Sequence, residues 1–244
     1  MPERLERYRP SALIKTFRKS PPEFLCRTAT ADRKAVDIVW TQQVYRRRRD
    51  AFHPKPDEVW LDLGSHIGAF SVLAHRYGAD VVAVEAHPDN VKLTRANLER
   101  NGLQHPTILS GAVVPDEFRR DMVDLHCTGS HRRNSIARSR RTSTALPVPA
   151  LKMTQLVDEF RPDGVKMSVE GAEIQILHSW EIPEFVRYTV VEWNFATDNR
   201  LHTLASGFER LASRYRNVDM SRKPDISKRT HDGWPRNIYL YGWD

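Results

Sequence analysis

Two carboxylates stand at a strand-to-helix join in VKMSVEGAEIQIL, residues 165–177, which begins as a buried apolar run and ends with helical spacing. Lys166, Ser168 and Glu170 alternate along the strand half, so Glu170 stands at its mouth and Gly171 lets a neighbour approach the backbone. Glu170 is the candidate for a chemical role, with Lys166 and Ser168 beside it as further catalytic candidates. Glu173 falls in the first helical turn, where a carboxylate either offsets the helix dipole, worth about 0.3 to 1 kcal/mol, or contacts a substrate.

A second constellation lies upstream. In DLGSHIG, residues 62–68, Gly64 and Gly68 bracket Ser65 and His66 between an apolar run and the start of helical spacing. Missing side chains there let a ligand approach the backbone and a helix N-terminus. Glu85 closes the next apolar run, where a carboxylate lies beside the glycine turn and can accept hydrogen bonds from both hydroxyls of a ribose. An adenosine-bearing cofactor is implied. The spacing does not match GxGxxG, and no GxxxxGK[ST] phosphate loop is present.

These residues need strands to aim them and helices to brace them. The runs EVWLDLG (58–64), DVVAVEA (80–86), TILSGAV (107–113), MVDLHC (122–127), GVKMSVEG (164–171), YTVVEW (188–193) and NIYLYG (237–242) read as strands. Between them IGAFSVLAHRYG, PDNVKLTRANLERNG, MTQLVDEF, AEIQILHSW and roughly 199–213 read as helices, with Asp89 near one start and Gly78 and Gly102 at two ends. Parallel neighbours need crossover connections, so the alternation predicts a doubly wound α/β sheet. Residues 1–56 read as an N-terminal extension or lid, with AVDIVW (35–40) as a short strand, and 57–244 as one domain. Glu192 and Asn194 lie in VVEWNF, where a later strand would end, and His126 follows MVDL on the preceding strand; all three are candidates for the substrate side.

The segment VWLDLGSHIGAFSVLAHRYGADVVAVEAHPDNVKLTRANLERNGL resembles the cofactor half of a class I S-adenosylmethionine-dependent methyltransferase, and VKMSVEGAEIQIL resembles the signature of its FkbM subfamily. The resemblance runs from about residue 36 to 195 and implies a Rossmann-like, mostly parallel seven-stranded sheet. It also implies that Asp62 sits under the methionine end of the cofactor, that Gly64 and Gly68 line the turn and that Glu85 holds the ribose hydroxyls. Ala86 and His87 would pack beside the adenine. One residue departs from the family pattern: Ser168 stands where that pattern usually has Asp. The implied reaction is O-methylation of a small molecule or sugar, with S-adenosylhomocysteine as product; an inactive cofactor-binding module is the reading that the Ser168 departure motivates.

Composition narrows the partners. The net charge of +7 and the basic stretch HRRNSIARSRRTST at 131–144 favour an anionic partner, so methylation of a nucleic-acid ribose hydroxyl is the alternative. The stretch itself reads as a mobile surface loop. Against a base methyltransferase, no DPPY-type motif and no Pro-Cys pair occur. Cys26 and Cys127 have neither metal-type nor disulfide-scaffold spacing, no histidine cluster has ligand spacing, and no metal is expected. With no apolar run near the length of a membrane span and no secretory core in MPERLERYRPSALIK, the expectation is a soluble, cytoplasmic protein with no membrane partner.

Overall fold

Apolar runs flanked on both faces by helices bury nearly every residue, and in the strand VWLDL all but the first, Val59, are fully buried: Trp60, Leu61, Asp62 and Leu63. The computed structural model describes residues 14–18, 22–28, 30–48, 51–127, 135–136, 144–194, 201–221 and 237–244. An antiparallel hairpin, β1 (Ile14–Arg18) and β2 (Glu23–Arg27), leads into helix α1 (Asp32–Trp40). Then follow β3 (Val59–Leu63), α2 (Ala69–Arg76), β4 (Asp80–Glu85), α3 (Pro88–Arg100) and β5 (Thr107–Ser110). The middle of the chain forms β6 (Ala112–Val114), β7 (Met122–Cys127), β8 (Thr144–Lys152), α4 (Met153–Phe160) and β9 (Gly164–Met167). Last come α5 (Glu173–Ser179), β10 (Tyr188–Asn194), α6 (Leu201–Ala212), β11 (Asn217–Met220) and β12 (Asn237–Trp243).

The main sheet has seven strands in the order β11-β12-β10-β9-β3-β4-β5. All pairs from β10 to β5 are parallel, and β12 runs antiparallel to both its neighbours. This is the doubly wound, mostly parallel seven-stranded sheet that the alternation and the resemblance imply. The chain leaves β3 toward β5 on one side and returns to β9 on the other, so the strand order reverses between β3 and β9. Ligands of open α/β sheets bind at such a reversal, outside the carboxyl ends of the strands.

Strand alternation splits the core in two. Leu61, Leu63, Val165 and Met167 pack on one face with residues of α4, α5 and α6, whereas Trp60 and Val81 pack on the other with residues of α1, α2 and α3. Phe52 is the hub of the second face, meeting Trp60, Tyr188, Tyr241 and Trp243 edge-on.

Several elements differ from the sequence-based expectation. AVDIVW is not a strand; it lies in α1, where Asp32, Val36 and Val39 share one buried helical face and Trp40 Nε1 donates to the Ala69 carbonyl across 3.2 Å. Its β-branched content suggested a strand, but β1 and β2 pair with each other and the segment instead packs along α2. TILSGAV breaks at Gly111 into β5 and β6, and β6 and β7 both leave the main sheet to pair with β8. The strand of GVKMSVEG stops at Met167. Among the described residues no helix is long and apolar enough to cross a membrane.

Candidate active site

A cleft opens at the carboxyl ends of β3, β4, β9 and β10. Its walls carry Gly64, Ser65 and His66 from the β3–α2 turn, Glu85 and Ala86 from the end of β4, Ser168, Val169 and Glu170 beyond β9, and Glu192 of β10. Ala35, Ile38 and Val39 of α1 and Tyr45 close it from the N-terminal side. Ser135 and Ile136 also line it; Ser135 is buried and pairs with His126 of β7. The other residues of the basic stretch, except Thr144 in β8, lie outside the described residues.

The glycine turn is built for close backbone approach, though not where the sequence alone suggests. Gly64 takes a left-handed φ of 77°, and a Cβ there would lie 2.0 Å from the Ser168 carbonyl oxygen. The missing side chain therefore admits the exit of β9, and the turn is held by Gly64 and Ser65 amides donating to the Val84 carbonyl. Gly68, with φ of 82°, precedes α2 and packs against Thr94 of α3.

Asp62 and Lys166 form a buried ion pair beneath this turn. Lys166 Nζ donates to Asp62 Oδ1 and to the Gly64 carbonyl, each across 2.8 Å, and Ser71 Oγ donates to Asp62 Oδ2 across 2.5 Å. A lysine so engaged ties β9 to the turn that follows β3. Burying both charges is tolerable only because each finds the other and further polar partners.

Glu85 accepts hydrogen bonds on both carboxylate oxygens. Oε2 accepts the His66 amide (2.8 Å); Oε1 accepts the His87 amide (2.8 Å) and Asn90 Nδ2 (3.1 Å). Burial pushes this carboxyl above its ordinary range, opposed first by the His87 amide. His87 itself caps α3, its Nδ1 accepting the Asp89 amide across 3.2 Å; burial pushes the imidazole below its ordinary value, which keeps that nitrogen an acceptor. His87 does not line the cleft, and Ala86 does.

His66 connects this group to the N-terminal segment. It adopts φ of 55°, and its Nε2 lies 3.1 Å from Oδ1 of the fully buried Asp32. Arg27 grips the same carboxylate through Nε (2.9 Å) and Nη2 (3.0 Å), and Nη2 reaches on to Asn90 Oδ1 (2.6 Å). Burial alone would raise the Asp32 carboxyl, but His66 and Arg27 hold it well below the usual carboxylate range. Sequence reading missed Arg27, Asp32 and Asn90; the run of chemistry-bearing types was visible, but their meeting place was not.

At the other end of the cleft Ser168 Oγ donates to Glu192 Oε2 across 2.6 Å. Glu170 takes a left-handed φ of 54° while its carbonyl accepts from Ser135 Oγ across 2.6 Å. A non-glycine residue held in that region at a cleft is a sign of a constrained, functional position. Glu173 is fully buried outside the cleft lining, its Oε2 accepting the Gly171 amide across 2.6 Å, which is a helix-start contact. His126 sits in the smaller sheet and does not line the cleft. Asn194 ends β10 opposite Asn237, and its side chain lies outside the described residues.

No group of three His, Cys, Asp or Glu side chains among the described residues could hold a metal ion. The adenosine-bearing cofactor fits better. Oε2 of Glu85 accepts one hydrogen bond, while a carboxylate offers about four acceptor sites in all. Moreover His66 Nδ1, on a residue of the cleft wall, is buried with no hydrogen-bond partner among the described residues, as suits a polar ligand group.

A 23S rRNA (uracil(1939)-C(5))-methyltransferase of Shewanella sp. (strain MR-4) is 39% identical over 67 residues, 28% of this chain and 15% of that protein. A probable cobalt-precorrin-6B C(15)-methyltransferase (decarboxylating) of Halobacterium salinarum is 32% identical over 80 residues, 33% of this chain and 43% of that protein. The chain spans less than half the length of either relative. Among solved structures, M. jannaschii TYW2 in complex with AdoMet gives a TM-score of 0.49 at 14% identity, covering 93% of this chain and 83% of that one. Residues 62–215 match the methyltransferase FkbM domain, a span that begins at the buried Asp62 and includes Glu85, Lys166, Glu170 and Glu192. With more than half of its length matched, the chain belongs to the FkbM methyltransferase domain family, enzymes that use S-adenosylmethionine.

Proposed function

We propose that this protein methylates a hydroxyl group of a small molecule or sugar, in the cytoplasm, with residues 57–244 as the catalytic unit and 1–56 as a lid packed on it. The observation that carries this reading is the division of carboxylates within one cleft: Glu85 beside the glycine turn, and Glu170 with the Ser168–Glu192 pair at the opposite end. Asp62, Gly64, Ser65, His66, Gly68, Glu85 and Ala86 form the cofactor half. His87 acts there indirectly, by starting α3 and donating its amide to Glu85.

When bound, S-adenosylmethionine supplies a sulfonium-activated methyl group and leaves as S-adenosylhomocysteine. Glu170 accepts the proton of the acceptor hydroxyl as its oxygen bonds to the methyl carbon. Glu192, its Oε2 engaged by Ser168, orients the hydroxyl for in-line approach. Lys166 holds the end of β9 in register with the turn, so that both carboxylates face the same space. Apolar Ile38, Val39 and Phe70 exclude water from the cleft.

Isothermal titration with S-adenosylmethionine and S-adenosylhomocysteine, followed by acceptor screening with hydroxylated small molecules and sugars, tests the reading. Binding lost in Glu85→Ala and transfer lost in Glu170→Gln with binding kept are the expected results. Absence of cofactor binding to the wild type would leave an inactive module.

The net charge of +7 and the position of Ser135, within the basic stretch and on the cleft wall, favour a nucleic-acid ribose hydroxyl as second reading. RNA binding with a steep salt slope, weakened when Arg132, Arg133, Arg138, Arg140 and Arg141 become alanine, would support it over the first.

A further inference from the structure

The polar groups that the proposed reaction leaves unused converge on Glu85. Starting from its Oε2, the chain of contacts runs through the His66 amide, the His66 ring, Asp32, Arg27 and Asn90, and returns to Oε1. This circuit draws on β2, α1, the β3–α2 turn, the end of β4 and α3. Arg27, Asp32, Glu85 and Asn90 are all at least nine-tenths buried.

Such a circuit is a poor way to gain stability alone. Ion pairs taken out of water cost several kcal/mol per charge, and apolar residues of similar volume usually serve packing as well or better. Nor is the network fully satisfied within the described residues: Arg27 Nη1 and both ring nitrogens of His66 are buried without hydrogen-bond partners, Nε2 meeting Asp32 at ion-pair distance. Both ends of the circuit terminate on the carboxylate that faces the cofactor half of the cleft, and one member, His66, lines that cleft itself.

We infer that the β2–α1 segment is part of the cofactor site, Arg27 and Asp32 being positioning residues that hold Asn90 and the His66 ring so that Glu85 and His66 meet the ribose half of the cofactor. This rests on the cofactor reading above and extends it to a segment ahead of the span that defines the family. Asp32 holds the imidazole by the ion-pair contact to its Nε2 edge, 3.1 Å away, and Nδ1 on the other edge is left for a ribose hydroxyl. Arg27 fixes the Asn90 amide, which in turn sets the rotamer of Glu85.

The test uses the full chain with S-adenosylhomocysteine and adenosine as probes, read by isothermal titration, with thermal unfolding of each ligand-free variant as the fold control. Replacing the pair together, Arg27→Met with Asp32→Leu, avoids leaving a lone buried charge. The expected result is a folded protein that binds both probes about tenfold more weakly or worse, the scale of a lost charge-assisted hydrogen bond. A double-mutant cycle with Glu85→Gln should show coupling, the combined loss falling short of the product of the separate losses, which a remote packing role would not produce. Affinity within about twofold of wild type in the folded double variant would overturn the inference. If that variant does not fold, Arg27→Lys decides by the same criterion, because it keeps a cation beside Asp32 while giving up the guanidinium fork that reaches Asn90. Failure of the wild type to bind either probe would instead sink the cofactor reading beneath it.

Discussion

The Ser168 hydroxyl donates to Glu192 across 2.6 Å, joining the exit of β9 to β10 at the wall of the cleft. The residue that departs from the family pattern thus has a carboxylate partner of its own. An aspartate at 168 would set two carboxylates against each other, and like charges at that range cannot both ionise without cost. Ser168→Asp should therefore lose about 1–3 kcal/mol of stability at neutral pH, regained on mild acidification or by adding Glu192→Gln. Urea unfolding of the single and double variants at two pH values measures this; an undiminished Ser168→Asp protein would show that the two positions are uncoupled.

Cofactor affinity should depend on the ionisation of Glu85. Its carboxyl is raised above the ordinary 4.5 by burial, so on acidification it takes a proton before an exposed carboxyl would. S-adenosylhomocysteine binding is expected to weaken as pH falls through that raised value and to hold steady above it. For stability the sign is opposite: in this window the folded state binds the proton more readily than the unfolded chain, so Glu85 favours folding at low pH and that contribution disappears as pH rises through the folded value. Titrations across the acidic range with wild type and Glu85→Gln should show the affinity slope only in the former.

Asp32 works in the other direction. Its carboxyl is held well below the usual range by His66 and Arg27 against the effect of burial. The stability it contributes is present above the unfolded value of about 3.9 and is lost only as pH falls through the depressed folded value. Asp32→Ala should cost about 3–5 kcal/mol, because it strands the Arg27 guanidinium in the interior. Denaturation midpoints at neutral pH provide the measurement, and a cost below about 1 kcal/mol would mean that the site relaxes to admit water.

Lys166 and Asp62 should behave as one unit. Lys166→Met leaves a buried carboxylate with Ser71 as its remaining side-chain hydrogen-bond donor and is expected to cost about 3–5 kcal/mol. Adding Asp62→Leu should recover part of that loss, since no charge is then left behind. Additive losses in a denaturant double-mutant cycle would count against a coupled pair.

Gly64→Ala tests the turn. It combines a left-handed backbone, unfavourable for alanine by about 1–2 kcal/mol, with a Cβ 2.0 Å from a carbonyl that belongs to backbone and cannot swing aside. Loss of more than that amount of stability, together with loss of S-adenosylhomocysteine binding, is the expected outcome. Unchanged binding would show that the turn can shift without disturbing Glu85.

The parts of the protein legible in its sequence are those whose causes are local. An apolar run ending at glycine placed β3, a second apolar run placed β4, helical spacing placed α4 at its observed bounds 153–160, and the strand-end Glu85 fell beside the glycine turn because a parallel crossover leaves it nowhere else. Tertiary structure decided the matters that depend on partners. AVDIVW became a helix because its buried face met α2, TILSGAV divided because β8 offered its second half another sheet, and Glu173 turned to a backbone amide outside the cleft. Most of all, Arg27 and Asp32 joined the cofactor half only when folding brought β2 and α1 against Asn90 and His66. Local propensity and periodicity act over a few residues and are written in order along the chain, whereas a buried charge finds its partner by three-dimensional proximity, and its cost of desolvation is met only once that partner has arrived.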